Sequence, residues 1–389
     1  MTDTGTVACP SCGEPCSEGD AFCEACGTEL APAVVSTPAA EFVPVCPVCS
    51  ADPDADHSAG VSADGYCASC GRKVPTGRDH IELDLGPIAG VTDRGLRHAR
   101  NEDAMAMATA ETAAGPVAIA VVCDGVSSSE RSDEASLAAA QAAVRVLLQS
   151  ARLGDDPGEA SLAAVRSAAS ALAGLGTVVA APSATYVSAV ITPGAGPGLS
   201  TGDDPGAAGD APGEDTGDGP GGVTGEPRAD SGEPRADSGP VITLCWVGDS
   251  RAYWLAAEGS QRLTTDDSVA QEMVTSGLLS ETEAMASSHA HVITRWLGAD
   301  IPDPEPHVTR FEPTGPGVLL VCSDGLWNYL PAAGDLASRA LPDAIGDPLG
   351  VADALLKFAL DAGGADNVTI VLAPVPLDLN RSDRARIQR

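Results

Sequence analysis

From about Pro87 onward the chain alternates apolar runs with acidic turns. GPVAIAVVCDG (115–125) is a continuous apolar run that stops at Asp-Gly, as expected of a buried strand ending in a turn. TYVSAVIT (185–192) predicts a strand, and VITLCWVGDSRAYWL (241–255) predicts two strands around a polar turn. GPGVLLVCSDGLW (315–327) predicts another buried strand ending in an acidic turn, and NVTIVLAPV (367–375) a last strand. Helical spacing appears at 133–150, where Leu137, Ala140, Val144, Leu147 and Leu148 share a face. Residues 160–174, 268–286 and 348–362 also read as helices. Strand runs alternating with Ala-rich helices predict an α/β or α+β domain. Cys123, Cys245 and Cys322 lie inside apolar strand runs and read as small core residues rather than nucleophiles.

The pattern breaks at 193–240. This stretch holds 14 Gly, 8 Pro and 10 acidic residues against two Arg, too little apolar material for a core, so disorder is expected. It ends in a tandem repeat, Glu226-Pro-Arg-Ala-Asp-Ser-Gly232 followed by Glu233-Pro-Arg-Ala-Asp-Ser-Gly239, too short and polar for a solenoid.

Of 12 cysteines, nine fall in the first 70 residues. Cys9-x2-Cys12 and Cys23-x2-Cys26 are separated by ten residues, and Cys46-x2-Cys49 and Cys67-x2-Cys70 by 17. Each Cys-x2-Cys turn can offer two thiolates to one tetrahedral ion, so two turns complete a closed four-cysteine zinc site. Disulfides would need an oxidising compartment, and a redox pair would need a thioredoxin-like context. Cys16 is left over and could stand in for Cys12. The modules resemble tandem zinc ribbons, each too small to fold by apolar burial, so two structural Zn²⁺ ions are expected. The predicted organisation is a ribbon at 1–30, a linker at 31–45, a ribbon at 46–71, a linker at 72–86, the main domain at 87–375 and a tail at 376–389. The basic side chains of that tail are Arg381, Arg384, Arg386 and Arg389.

Charge narrows the partners. The formal net charge is −33, of which residues 1–80 carry −9 and the stretch 193–240 carries −8. Nucleic acid and anionic membrane surfaces need a basic face, so neither is expected as a partner. A protein-docking role suits the acidic ribbons better. No apolar run of about 18 residues is present, and the first ten residues lack the basic-then-apolar pattern of a signal peptide, so a cytoplasmic location is expected.

The candidate chemistry lies in carboxylates at strand ends: Asp124-Gly125, Asp249, Asp324-Gly325 and Asp366-Asn367, with Asn101-Glu102-Asp103 upstream. A single Asp-Gly is an ordinary turn. Several buried carboxylates converging on one edge would need pairing or metal. An oxygen-only donor set suits hard ions such as Mg²⁺ or Mn²⁺, and carboxylates around two such ions suit metal-assisted hydrolysis.

The ordered series Arg94-Gly95-Leu96, Asn101-Glu102-Asp103, Val122-Cys123-Asp124-Gly125, Val247-Gly248-Asp249-Ser250-Arg251, Cys322-Ser323-Asp324-Gly325 and Asp366-Asn367-Val368-Thr369 resembles the metal-dependent protein serine/threonine phosphatases of the 2C type, from about residue 88 to 375. The resemblance implies an α+β fold, two packed antiparallel sheets flanked by helices. It implies that Asp124 bridges two Mn²⁺ or Mg²⁺ ions, with the Gly125 carbonyl on one. Asp324 and Asp366 would complete the first ion, Glu102 and Asp103 would hold the second, and Asp249 with Asp324 would form a weaker third position. Phosphorylated proteins in a Ser/Thr kinase pathway are the partners it implies.

The series also departs from the family. His98 occupies the usual phosphate-anchoring arginine position, with Arg97 and Arg100 as neighbouring substitutes. Ser127-Ser128-Ser129 replaces glycines after Asp124-Gly125, and no histidine follows to protonate a leaving group. Asp266-Asp267-Ser268 stands where Asp-His-Ser is common, and a mobile flap is expected near 264–290, with His289 and His291 at its end read as structural. All expected metal ligands are retained, which favours catalysis over an inactive phosphatase-fold scaffold or a zinc-ribbon adaptor.

Overall fold

The apolar alternation along Asp103–Thr112 is two-sided. Ala104, Ala106, Ala108 and Ala110 point to one core, and Met105 and Met107 to another. A strand buried on both faces needs a layer on each side, and the chain supplies helices on one side and a second sheet on the other. The computed structural model describes residues 6–8, 14–17, 25, 33–37, 46, 62, 66–72, 74, 77–176, 181–194, 239–301, 303–377 and 386–388. Cys9, Cys12, Cys23, Cys26 and Cys49, and most of the stretch expected to be disordered, lie outside the described residues.

Before the main body come the paired strands β1 (Thr6–Ala8) and β2 (Pro15–Ser17), then β3 (Ala33–Ser36). The first large sheet adds β6 (Asp103–Thr112), β7 (Gly115–Asp124), β9 (Tyr186–Thr192), β10 (Val241–Val247) and β14 (His307–Phe311) to β3, in the order β14-β10-β9-β7-β6-β3. The second sheet contains β4 (His80–Asp84), β5 (Ala89–Asp93), β11 (Arg251–Leu255), β12 (Gln261–Arg262), β15 (Gly317–Cys322), β16 (Val368–Val375) and β17 (Arg386–Gln388), in the order β12-β11-β15-β16-β5-β4-β17. A short pair, β8 (Ser183–Ala184) with β13 (Leu297–Gly298), closes one corner.

The inner faces meet through Met105, Met107, Val122 and Val187 against Trp254, Leu319, Val321 and Val371. Outside the first sheet, helices α1 (Ser132–Leu153) and α2 (Pro157–Ala173) bury alanine-rich faces, with Leu147, Val165 and Leu172 among the larger side chains. Their junction is well specified. Gly154 takes a left-handed conformation (φ 76°) that ends α1, and the Asp156 carboxylate caps α2 by accepting from the Gly158 and Glu159 amides. Outside the second sheet lie α5 (Asp324–Trp327), α6 (Ala333–Ala340) and α7 (Pro348–Ala362). The expected sandwich of two antiparallel sheets with flanking helices is therefore found.

Four boundaries differ from the sequence reading. Residues 268–286 form two short helices, α3 (Val269–Thr275) and α4 (Glu281–Met285), rather than one. Gly277 (φ 73°) follows the end of α3, and Ser280 with Glu283 forms a capping box that starts α4 afresh. The stretch 72–86, expected to be a linker, contains β4, and the expected linker 31–45 contains β3, so each contributes a strand to a sheet. The tail supplies β17, paired with Glu82–Asp84.

β4 is held to β5 partly by charge. His80 lies opposite Asp93, with Nδ1 2.9 Å from the Asp93 carboxylate and Nε2 3.4 Å from that of Glu82. The Asp93 hydrogen bond, with help from Glu82, raises the imidazole pKa above 6.5 despite partial burial. A raised value means the folded state binds the proton more tightly. The stabilisation is complete below about pH 6.5 and lost as pH rises through the raised value. His80→Ala should therefore cost more stability at pH 6 than at pH 9 in urea titrations; an equal cost at both would contradict the pairing.

Candidate functional site

The carboxylates expected to converge do so at one end of the sandwich. β6 begins with Asp103 and β7 ends with Asp124, and the antiparallel register sets these residues directly opposite each other. The other members arrive from the second sheet and its loops. Asp324 opens α5 immediately after β15, Asp366-Asn367 precedes β16, and Asp249 lies in the turn between β10 and β11. Asp103, Asp249 and Asp324 are buried and Asp124 is half-buried, and each feels the negative charge of neighbouring carboxylates.

Hydroxyls and amides fix the cluster. Ser323 and Thr369 each donate to one oxygen of Asp103 at 2.7 Å. Ser127 and Ser132 donate to the two oxygens of Glu102 at 2.8 and 2.7 Å. Asn367 accepts from the Glu102 amide (2.7 Å) and donates to the carbonyls of Arg94 and Arg100, so a side chain beside Asp366 sets the start of β6. Gly125 is held by its amide to the Glu102 carbonyl. A Cβ on Gly125 would stand 2.5 Å from the Ser132 carbonyl oxygen, so only glycine fits there without a backbone shift.

The Asp249 turn is anchored separately. Arg251 grips Asp266 through Nε and Nη2 (3.0 and 2.6 Å), and its guanidinium lies 3.7 Å over the Trp327 ring. Trp327 Nε1 in turn donates to the Asp249 carbonyl. Asp267 accepts from the Gly248 amide with one oxygen and pairs with His307 Nε2 (2.8 Å) through the other.

Burial and mutual repulsion dominate the electrostatics. Burial, then the neighbouring carboxylates, pushes Asp124 and Asp324 well above the usual carboxylate range. Burial raises Asp103 to about 6 against its two hydroxyl donors, and raises Asp249 to about 7. Burial also acts on Glu102, but its bonds from Ser132, Ser127 and Arg100 win and hold it below the ordinary value. One oxygen each of Asp103 and Asp324 is buried with no hydrogen-bond partner among the described residues. Unsatisfied carboxylate oxygens in a crowded negative site are strongly disfavoured unless a cation meets them. The donor set is oxygen only, so the residues fit hard divalent ions.

The phosphate-anchor candidates lie at the rim. His98 Nε2 is 3.1 Å from an oxygen of Asp366. Arg100 is exposed and directs Nε to Glu102 (3.0 Å) and Nη1 toward Asp133 (3.6 Å), while Arg97 is exposed. His291, expected to be structural, lies near the cluster. Its Nδ1 is 3.9 Å from Asp324 and its ring stacks near Trp327, because the chain after α4 folds back toward the cluster. The roles of the hydroxyl partners Ser127, Ser132, Ser323 and Thr369 were not read from the sequence. The serines replacing glycine after Gly125 were the available clue, and Ser127 turns out to serve Glu102.

A second cluster lies in the N-terminal region. Cys46, Cys67 and Cys70 offer sulfurs within 4.8 Å of one another, with Cys46 and Cys70 Sγ 3.8 Å apart.

Known proteins share this arrangement of elements. A bacterial serine phosphatase superposes with a TM-score of 0.54 at 19% identity, covering 75% of this chain and 98% of that one. Stp1 from Staphylococcus aureus gives 0.52 at 20% identity, over 74% and 94%. The fold is that of the bacterial serine/threonine phosphatases. Residues 94–209 of the phosphatase-fold body match the family model for Protein phosphatase 2C. Serine/threonine phosphatase stp of Listeria welshimeri is 32% identical over 136 residues, 34% of this chain and 50% of the relative. Serine/threonine protein phosphatase PstP of Mycobacterium tuberculosis is 32% identical over 139 residues, 36% of this chain and 26% of the relative. The chain thus spans about half or less of the length of these curated relatives. Among the described residues no helix is long and apolar enough to cross a membrane.

Crowded carboxylates destabilise the protein without cations. Asp324→Asn should therefore raise the melting temperature measured in excess chelator; an unchanged or lower value would show that the repulsion is already relieved.

Proposed function

We propose that the chain is a metal-dependent phosphoprotein phosphatase that hydrolyses phosphoserine and phosphothreonine, opposing a Ser/Thr kinase. The observation that carries this reading is the meeting of five separate acidic motifs at one end of the sandwich, where Asp103 and Asp324 keep unpartnered buried oxygens. Asp124, Asp324, Asp366 and the Gly125 carbonyl would hold one Mn²⁺ or Mg²⁺, and Asp124, Asp103 and Glu102 the second. Asp249 with Asp324 would offer a weaker third position. The ions supply an activated water and positive charge for phosphoryl oxygens.

The chain's own groups supply position. Ser127 and Ser132 keep Glu102 ionised and oriented, and Ser323 and Thr369 aim the free oxygen of Asp103. His98 and Arg100 stand at the rim, where a phosphate ester would meet them, with Arg97 beside them. Arg100 Nε is 3.0 Å from Glu102 and His98 Nε2 is 3.1 Å from Asp366, so either anchor would meet the phosphate while paired with a proposed cation ligand. Mn²⁺-dependent hydrolysis of p-nitrophenyl phosphate and of phosphopeptides tests the reading. Asp124→Asn should lower turnover by at least about a hundredfold, since even residues that only orient metal ligands cost about 10–100-fold. Wild-type activity in that variant would overturn it.

The cysteine modules are read as zinc sites that dock a protein partner. Zn–S bonds of about 2.3 Å at tetrahedral angles set sulfurs about 3.8 Å apart, the separation of Cys46 and Cys70. Cys49 would be the fourth ligand there, and Cys9, Cys12, Cys23 and Cys26 would form the other site. Metal analysis of protein purified without chelator should give two Zn²⁺ per chain and one in Cys67→Ser; two in both would rule out the second site.

A further inference from the structure

The second cysteine module is strung between two short segments, and both end at the start of β6. On the entering side, β3 pairs with Ala106–Thr109 and buries Val35 in the core between the sheets. Thr37 follows, fully buried. Its amide donates to the Met105 carbonyl (2.8 Å) and its hydroxyl accepts from the Met105 amide (3.0 Å). On the leaving side stands Arg78, 2% exposed. Its Nη2 donates to the Asp103 carbonyl (2.9 Å) and its Nη1 to the Asp133 carbonyl (3.0 Å). The Arg78 carbonyl accepts from Asn101 Nδ2 (3.1 Å), and Asn101 Oδ1 accepts from the Asp103 amide (3.2 Å).

The backbone that carries Asp103 is thus gripped on both sides. Arg78 also joins the start of β6 to the start of α1, where Ser132 holds Glu102. A buried guanidinium spent on two backbone carbonyls fixes the relative position of two elements, because its planar fork allows little freedom.

We propose that the chain entering and leaving the second cysteine module is a clamp for Glu102 and Asp103, with Thr37 and Arg78 as positioning residues for cation binding. The clamp rests on the phosphatase reading, which makes Glu102 and Asp103 cation ligands. Neither Thr37 nor Arg78 touches substrate. Their loss should weaken cation binding while leaving the chemistry intact once the ions are bound.

The test uses the full chain, freed of divalent ions at the carboxylate end, with Thr37→Val, Arg78→Lys and Arg78→Ala beside wild type. Mn²⁺ affinity is read by titration calorimetry and fold retention by the melting temperature without added cation. Arg78→Ala should raise the Mn²⁺ dissociation constant about tenfold, as expected for groups that orient metal ligands. Arg78→Lys should restore part of the loss, and Thr37→Val should show a smaller rise. At saturating Mn²⁺, kcat and the phosphopeptide KM should stay near wild type. If Arg78→Ala does not fold, Thr37→Val and Arg78→Lys decide the matter. Folded variants that bind Mn²⁺ as wild type does overturn the clamp alone. A wild type that binds no Mn²⁺ overturns the phosphatase reading, and the clamp with it.

Discussion

Asp103 and Asp124 face each other across one antiparallel pair, and the repulsion between them organises the surrounding structure. Two unit charges about 5 Å apart repel by about 3 kcal/mol at an effective dielectric of 20, before burial is counted. Asp249 and Asp324 are buried in the same region and add to the load. Each neighbouring feature answers this constraint. Hydroxyl donors hold the outer oxygens, Asn367 pins the strand start, and Arg251 with Asp266 braces the adjoining turn. The sandwich behind them is rigid enough to keep like charges together because its sheets are buried on both faces.

Legibility in the sequence followed the strength of local pattern. Asp124 and Asp324 were readable because each ends a run of apolar residues, and Asp366 because it opens one. β6 was missed as a strand because its apolar positions are alanine and methionine, which favour helix, where β7 has valine and isoleucine. Alanine looks toward the helices and methionine toward the second sheet. β4 was missed because its alternation spans only five residues. Thr37, Arg78 and Ser132 had no sequence signal at all, since each acts on a residue distant in the chain.

The departures from the family pattern sort differently once geometry is known. Serine in place of glycine after Gly125 supplies a hydroxyl that holds Glu102, through Ser127. Aspartate in place of histidine at 267 is matched by a histidine arriving from β14, so the hydrogen-bonded pair that steadies Gly248 is formed from a distant partner. The change at His98 is of another kind. Its ring already touches Asp366, which puts a titratable group where a permanently charged arginine would otherwise stand.

The long acidic stretch joins two strands that are immediate neighbours. Thr192 and Val241 are register partners, and the opposite ends of the same strands, Tyr186 and Val247, lie toward the carboxylates. Seven residues of strand, about 23 Å at about 3.3 Å per residue, separate the junction from that end. The hairpin is closed by its own ladder whatever the length of chain between its halves. That connection can therefore vary in length and sequence without breaking the hairpin, and its repeated Glu-Pro-Arg-Ala-Asp-Ser-Gly units have the form of a local duplication. The same junction is a natural port for grafting a reporter or affinity handle onto the protein without disturbing its chemistry.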